Sequence, residues 1–337
     1  VDLTLSDEQR QLVDSFAALY ARESSAERVR AAEPLGFDPV LWAALSATGA
    51  VEMAVPEEHG GWGASVLELA LLAEQHGRAT GSAPVIEAQV AAWLLAQCGA
   101  AGAELLAAAA SGERLVTFSP RRTPRPQLAL VPAGAVADVV IALIGDRLVA
   151  APIRTRTIVE NLGTLPLADV EIGAEAVTLA EGDTAVDVYS AGLDRWLALT
   201  AAALAGVGAR AIEVGAHYAK KRHAFGAPIG SFQAVSHPLA DGATAVDGAR
   251  LLAFKAACAF DDEPGRATEL SAMAFAFAAE SARAATRTSL HVHGGYGFGM
   301  EAEVQLYYRR ARGWTMVYGD PVTALDRVAD ARYGTAC

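Results

Sequence analysis

Cysteine is scarce in this chain. The three present, Cys98, Cys258 and Cys337, are too far apart to form a metal knuckle or a disulfide framework, and their sparse use fits a reducing cytoplasm. Aromatic residues make up only 7% of the sequence, so large rings cannot dominate the core and helices are expected to approach closely through small side chains. No basic tract exceeds the short clusters Arg121-Arg122 and Lys220-Lys221-Arg222, and the formal net charge is −12. A nucleic-acid partner needs a cationic surface that displaces counterions, which sets that class aside. Single cationic sites can still bind the phosphates of a small ligand on an acidic protein. No apolar run reaches bilayer length: the longest, Trp196 to Ala209, is bracketed by Arg195 and Arg210 and reads as a buried helix, so no membrane insertion is expected. The opening Val-Asp-Leu-Thr shows no basic-then-apolar leader pattern.

What the chain does have is length and alanine. At 337 residues and 53% hydrophobic content, it exceeds what one core usually serves, and two or three sub-domains are expected. Alanine loses no side-chain entropy in a helix, so this composition favours helices. Residues 1–112 read as helical. Ser6-Asp7-Glu8-Gln9 supplies a cap and early acids, and Leu12, Phe16, Leu19 and Tyr20 follow at helical spacing. Further helices are predicted at 39–48, 65–77 and 85–97, interrupted by the glycine-rich stretch Gly60-Gly61-Trp62-Gly63. Across 113–185 the character changes to short β-branched runs at 115–118, 128–131, 138–144 and 148–153, separated by Pro124, Pro126 and Gly145-Asp146. That pattern predicts a small antiparallel β unit. Over 186–337, helices are predicted at 187–222, 232–261, 265–290, 300–317 and 321–333, the long-helix, short-connection pattern of an up-down bundle.

Three segments in this order carry a resemblance. They are Pro56-Glu57-Glu58-His59-Gly60-Gly61-Trp62-Gly63; Arg222-His223-Ala224-Phe225-Gly226-Ala227-Pro228-Ile229-Gly230-Ser231-Phe232-Gln233, with Asp241 after it; and His291-Val292-His293-Gly294-Gly295-Tyr296-Gly297-Phe298, followed by Glu301, Arg309 and Arg310. Together they resemble the acyl-CoA dehydrogenase family over nearly the whole chain. The resemblance implies a mainly α fold with a small β domain: an N-terminal helical domain, a shortened antiparallel β domain and a C-terminal four-helix bundle. It implies FAD as cofactor, an acyl-CoA substrate and an electron-transferring flavoprotein as electron acceptor. In the family, FAD straddles two subunits. By the resemblance, Arg222 contacts its pyrophosphate, Phe225 packs on the adenosine part, and Gln233 also touches it. His291, where the family often has Gln, and Gly294-Gly295 serve the ADP end. For Arg222, a cation at a helix C-terminus is the competing reading. For His291 and His293 it is ordinary polar loop-end residues; no metal is needed to explain the pair.

The pattern breaks where the reaction needs a base. The family removes an α proton with a carboxylate while hydride leaves the β carbon, so a Glu beside the α carbon is required. Most members place it before Gly-Thr in a Tyr-Glu-Gly-Thr segment; here Tyr318-Gly319-Asp320-Pro321 puts Gly319 there. Other members carry it on the first bundle helix, and a gapless count to Phe225 puts Trp196 at that position, in Gly192-Leu193-Asp194-Arg195-Trp196. Asp320 and Asp194 lie beside the two vacant positions, and both also read as caps, Asp320 before Pro321 and Asp194 before a helix starting near Trp196. The β unit also lacks the family's Thr-Glu-x-x-x-Gly-Ser-Asp-like segment, reading Ser119-Pro120-Arg121-Arg122 instead.

These departures resemble the non-base subunits of actinobacterial heteromeric acyl-CoA dehydrogenases acting on steroid side-chain CoA thioesters. The expectation is a subunit that completes the FAD site of a homologous, base-bearing partner. Three alternatives stay open: a homomeric enzyme using Asp320, Asp194 or a displaced group; a non-catalytic partner; and a different flavin reaction on the same fold.

Overall fold

The structure is a computed structural model that describes residues 4–334. These form two compact units, one made of the chain through Arg30, Ala70–Gly81 and the residues from Ala198 on, the other of Ala31–Leu69 and Ser82–Leu197.

The N-terminal helices follow from their caps. Helix α1 (Asp7–Glu23) opens with a reciprocal capping box: the Ser6 hydroxyl accepts from the Gln9 amide, and the Gln9 side chain accepts from the Ser6 amide. Its buried face carries Phe16, Leu19 and Tyr20. Helix α2 (Ala26–Ala32) follows. Helix α3 (Pro39–Ala47) starts after Asp38, whose carboxylate accepts from the Val40 and Leu41 amides. Two 3₁₀ turns, Glu52–Ala54 and Glu57–His59, lead into the predicted glycine loop. Helices α4 (Val66–Arg78), α5 (Val85–Gln97) and α6 (Ala100–Ala110) complete the segment. Helices α2 and α6 are additional to those the periodicity predicts. The first is two turns long, and the second is nearly all alanine and leucine, so neither shows a contrast between faces.

The β region has seven strands. β1 (Val116–Phe118), β2 (Gln127–Val131), β3 (Val139–Ile144) and β4 (Arg147–Pro152) fall on the four predicted runs; β5 (Thr155–Ile158), β6 (Ala168–Glu171) and β7 (Val177–Glu181) are additional. They form two sheets, ordered β1-β3-β4-β7 and β2-β6-β5. All pairings are antiparallel except β1 with β3. The strand between them in sequence, β2, belongs to the other sheet, so β3 enters in the direction β1 had.

The long helices are α7 (Gly182–Lys221), α8 (Gln233–Asp262), α9 (Ala267–His293), α10 (Val304–Tyr318) and α11 (Thr323–Tyr333), with two-residue strands β8 (His223–Ala224) and β9 (Ala227–Pro228) between α7 and α8. Helix α9 packs against α8, α10 and α11. Small residues let backbones meet: a Cβ on Gly77 would fall 1.8 Å from the Ala203 carbonyl oxygen, and one on Gly206 2.1 Å from that of Glu74. Helix α7 is long and apolar enough to cross a membrane by composition, yet 78% of its apolar window is buried within the chain, as in a core helix.

Candidate functional site

At one end of the bundle the chain leaves α7 and makes a tight hairpin. Phe225 and Gly226 form its tip with φ of 52° and 81°, the two positive angles of a type I′-like turn. Glycine takes that conformation freely, whereas a phenylalanine pays about 1–2 kcal/mol for it. Phe225 is nonetheless 98% exposed, so no packing among the described residues compensates. Phe232, itself half-exposed, sits edge-on to its ring at 6.3 Å. Arg222 is exposed just before the hairpin, and its guanidinium has no hydrogen-bond or ion-pair partner among the described residues. Gln233, the first residue of α8, is also exposed.

The glycine turn after α9 lies beside this hairpin. Tyr218, one turn before Arg222, stacks on His293 with ring centroids 4.3 Å apart and lies nearly parallel to Tyr296 at 6.4 Å. His293 is buried with Nδ1 2.7 Å from the Ser289 carbonyl oxygen, which fixes the proton on Nδ1. It is therefore a packing residue, while His291 is exposed. Residues Gly294–Phe298 form a 3₁₀ turn. Its glycines differ in what they require. Gly297 is forced by packing, since a Cβ there would meet the Leu290 carbonyl oxygen at 2.7 Å. Gly294 has a φ of 60°, which side chains avoid. Gly295 has neither a positive φ nor any atom within 4 Å of where a Cβ would sit. None of the described residues demands glycine at 295.

The two positions that the resemblance marks for a base hold Gly319 and Trp196. Gly319 ends α10 with φ of 136°, a backbone that a side chain there would strain. Asp320 is exposed. Its carboxylate accepts from the Val322 amide at 3.0 Å, and its carbonyl accepts from the Thr323 amide and hydroxyl, so it caps the turn into α11 as expected. Trp196 is 1% exposed, and its indole N–H donates to Glu87 Oε1 on α5 at 3.1 Å. Burial pushes the Glu87 carboxyl above its ordinary pKa, and the Trp196 hydrogen bond offsets part of that. Asp194 corrects its capping assignment: α7 begins at Gly182, so Asp194 lies inside the helix, buried. Sequence reasoning missed Glu87. The available signal was Glu87 as the lone charged residue in the mostly apolar α5.

An exposed aromatic turn, a partnerless guanidinium and an open glycine turn at one end of a helical bundle match a cradle for an anionic, partly planar ligand. The chain belongs to the acyl-CoA dehydrogenase family, flavoprotein oxidoreductases whose cofactor is FAD. Residues 6–113 match the acyl-CoA dehydrogenase N-terminal domain and residues 186–331 its C-terminal domain. Acyl-CoA dehydrogenase IpdE2 of Mycolicibacterium smegmatis is 31% identical, with 96% of this chain and 98% of that protein aligned. The structure of the ChsE4-ChsE5 complex from Mycobacterium tuberculosis superposes with a TM-score of 0.89 at 26% identity over the full length of both chains. The Tcur3481-Tcur3483 steroid ACAD G363A variant gives 0.87 at 25% identity, over 97% of this chain and 98% of that one.

Proposed function

We propose that this chain is the base-deficient subunit of a two-component acyl-CoA dehydrogenase, completing an FAD site held mainly by a homologous, base-bearing partner. The substrate class is a CoA thioester with a bulky, steroid-derived acyl group, and electrons pass on to an electron-transferring flavoprotein. The carrying observation is Phe225, held fully exposed in a costly turn beside an unpartnered Arg222. A chain rarely keeps such strain unless something outside it closes on the residue.

The residues fit FAD. Arg222 supplies a fixed cation for the pyrophosphate, where a charge-assisted hydrogen bond is strong. Phe225, with Phe232, offers an apolar face for the adenosine part. Gln233 and His291 add hydrogen-bonding groups, and Gly294-Gly295 leaves room for close backbone approach. FAD held by these residues would supply the hydride acceptor for the β hydrogen of the thioester. This chain's own part is to bind and orient; Gly319 and Trp196 offer no carboxylate to take the α proton. That the ChsE4-ChsE5 and Tcur3481-Tcur3483 proteins are two-component assemblies supports the reading.

The test is purification alone and together with a base-bearing homologue. Alone, the chain is expected colourless and inactive; together, yellow and able to reduce a dye with acyl-CoA. Arg222→Ala should weaken FAD retention in the assembly by about 1.5–3 kcal/mol. Asp320→Asn should leave turnover within about twofold. A loss beyond about a thousandfold would make Asp320 the base and refute the partner reading.

A further inference from the structure

We infer that a polar hollow between α1, the end of α4, the middle of α7 and the start of α10 is a binding site for a short-chain carboxylate. Its volume is about 400 Å³, and Gln75, Arg78, Thr80, Arg210 and Glu303 supply much of its polar lining. All of its lining residues belong to one compact unit. None of them belongs to the hairpin, the glycine turn or the two positions marked for a base, so the inference goes beyond the function proposed above.

Two buried polar groups on its wall lack a partner. Gln75 is 8% exposed, and its side-chain amide has no hydrogen-bond partner among the described residues. Thr80, two residues past the end of α4, is 1% exposed, and its hydroxyl is likewise unpartnered among them. Its φ is 46°, a conformation that β-branched residues rarely take. Buried polar groups normally find a partner, and strained backbone of this kind gathers at ligand sites. An amide and a hydroxyl lining the same hollow point to a ligand that satisfies both.

Donors dominate the wall. A guanidinium offers five N–H groups, and among the described residues the Arg78 side chain donates only to Glu213, at 2.6 Å. Gln75 adds two N–H groups and Thr80 a hydroxyl. A group that only accepts, an ionised carboxylate, satisfies these donors. Charge limits it to a single negative unit. Arg78 and Arg210 share Glu213, at 2.6 and 3.3 Å, and Arg210 also lies 3.8 Å from Glu303. Two cations thus already meet two carboxylates. A monoanion adds one charge to that balance, whereas a phosphate dianion adds two beside both acids. The remaining wall is apolar, with Ala17, Leu306 and the ring of Tyr20, whose hydroxyl is engaged with His76 at 2.9 Å. It suits a short hydrocarbon tail. A hollow of about 400 Å³ is at the small end of ligand cavities, and fits a molecule of a few carbons rather than a nucleotide-bearing one.

The test is titration calorimetry and thermal denaturation of the full chain with acetate, butyrate and inorganic phosphate at matched ionic strength. Butyrate is expected to bind with a Kd of about 1 mM or tighter. Acetate should bind about three- to tenfold more weakly for want of the tail, and phosphate at least about tenfold more weakly than butyrate. Gln75→Leu removes the unpartnered amide at nearly constant size. It should hold or raise the melting temperature of the unliganded chain and weaken butyrate binding at least about tenfold. Gln75→Glu, which sets an acid against the ligand's carboxylate, should abolish binding. Arg78→Lys keeps the charge without the fork and should weaken it about three- to tenfold. The inference is overturned if butyrate fails to bind at about 50 mM, as when water alone satisfies the amide. It is equally overturned if phosphate binds as tightly, if Gln75→Leu leaves affinity within about twofold, or if that variant melts several degrees lower, which would make Gln75 a packing residue.

Discussion

Adjacent glycines at the end of α9 give a sharp test of the cofactor cradle. A Cβ at Gly295 meets no atom of the described residues within 4 Å, and the residue has no positive φ. Gly295→Ala should therefore leave the fold intact. At a compatible position the change stabilises by about 0.4–1 kcal/mol, by removing freedom from the unfolded chain, so the melting temperature should hold or rise by about 1–3 °C. If FAD packs against this backbone, the added methyl intrudes on it. Overpacking of that kind costs about 1–3 kcal/mol, or about 5- to 150-fold in affinity. Gly294→Ala should behave differently, because its φ of 60° makes any side chain costly by about 1–3 kcal/mol of folding stability. Thermal denaturation of the flavin-free chain and flavin titration of the assembled protein read the two effects separately. A Gly295→Ala variant with FAD affinity within twofold of wild type would remove this turn from the cofactor site. One that melts several degrees lower would show that the position is crowded after all.

Trp196→Phe takes a donor from a buried carboxyl, so the chain should lose about 1–3 kcal/mol of stability in urea unfolding; no loss would mean that Glu87 finds another donor at once. His76 carries an acid dependence. It is buried, with Nδ1 2.9 Å from the Tyr20 hydroxyl and its ring stacked on Trp314 at 5.4 Å. Burial, reinforced by the charge of Arg310, pushes its pKa from 6.5 down to about 3. A folded pKa below the unfolded one contributes stability that is fully present above about pH 6.5 and lost progressively as pH falls toward 3, up to about 5 kcal/mol in total. His76→Gln should flatten the stability–pH profile between about pH 6.5 and 4; an unchanged slope would place the acid sensitivity elsewhere.

Much of this protein is written locally. Ser6 and Gln9 cap α1 by groups three residues apart, and the apolar spacing of residues 187–333 marks the bundle helices to within a few residues, because a helix needs only its own side chains to declare which face is buried. Arg222, Phe225 and the Gly294-Gly295 turn were singled out by the resemblance of their segments to the family's; the positive φ of Phe225 and of Gly294 belongs to the folded chain. Gly319 and Trp196 stand where segment matching to the family places a base. Other features depend on which faces meet. Glu87 and Trp196 are separated by 109 residues, and no local rule says that one finds the other. The parallel pairing of β1 with β3 follows from the route of β2 into a second sheet, and Tyr218 joins the hairpin to the glycine turn only because the ends of α7 and α9 are brought together. Asp194 also read as a cap, although the predicted helix at 187–222 already enclosed it, and α7 places it inside a helix. Sequence by itself determined the long helices, four of the seven strands of the β region and the chemistry each could offer, since those rest on neighbours along the chain. Tertiary structure decided which buried polar groups pair and which charges stay unpaired at the surface, because those depend on contacts between residues remote in sequence.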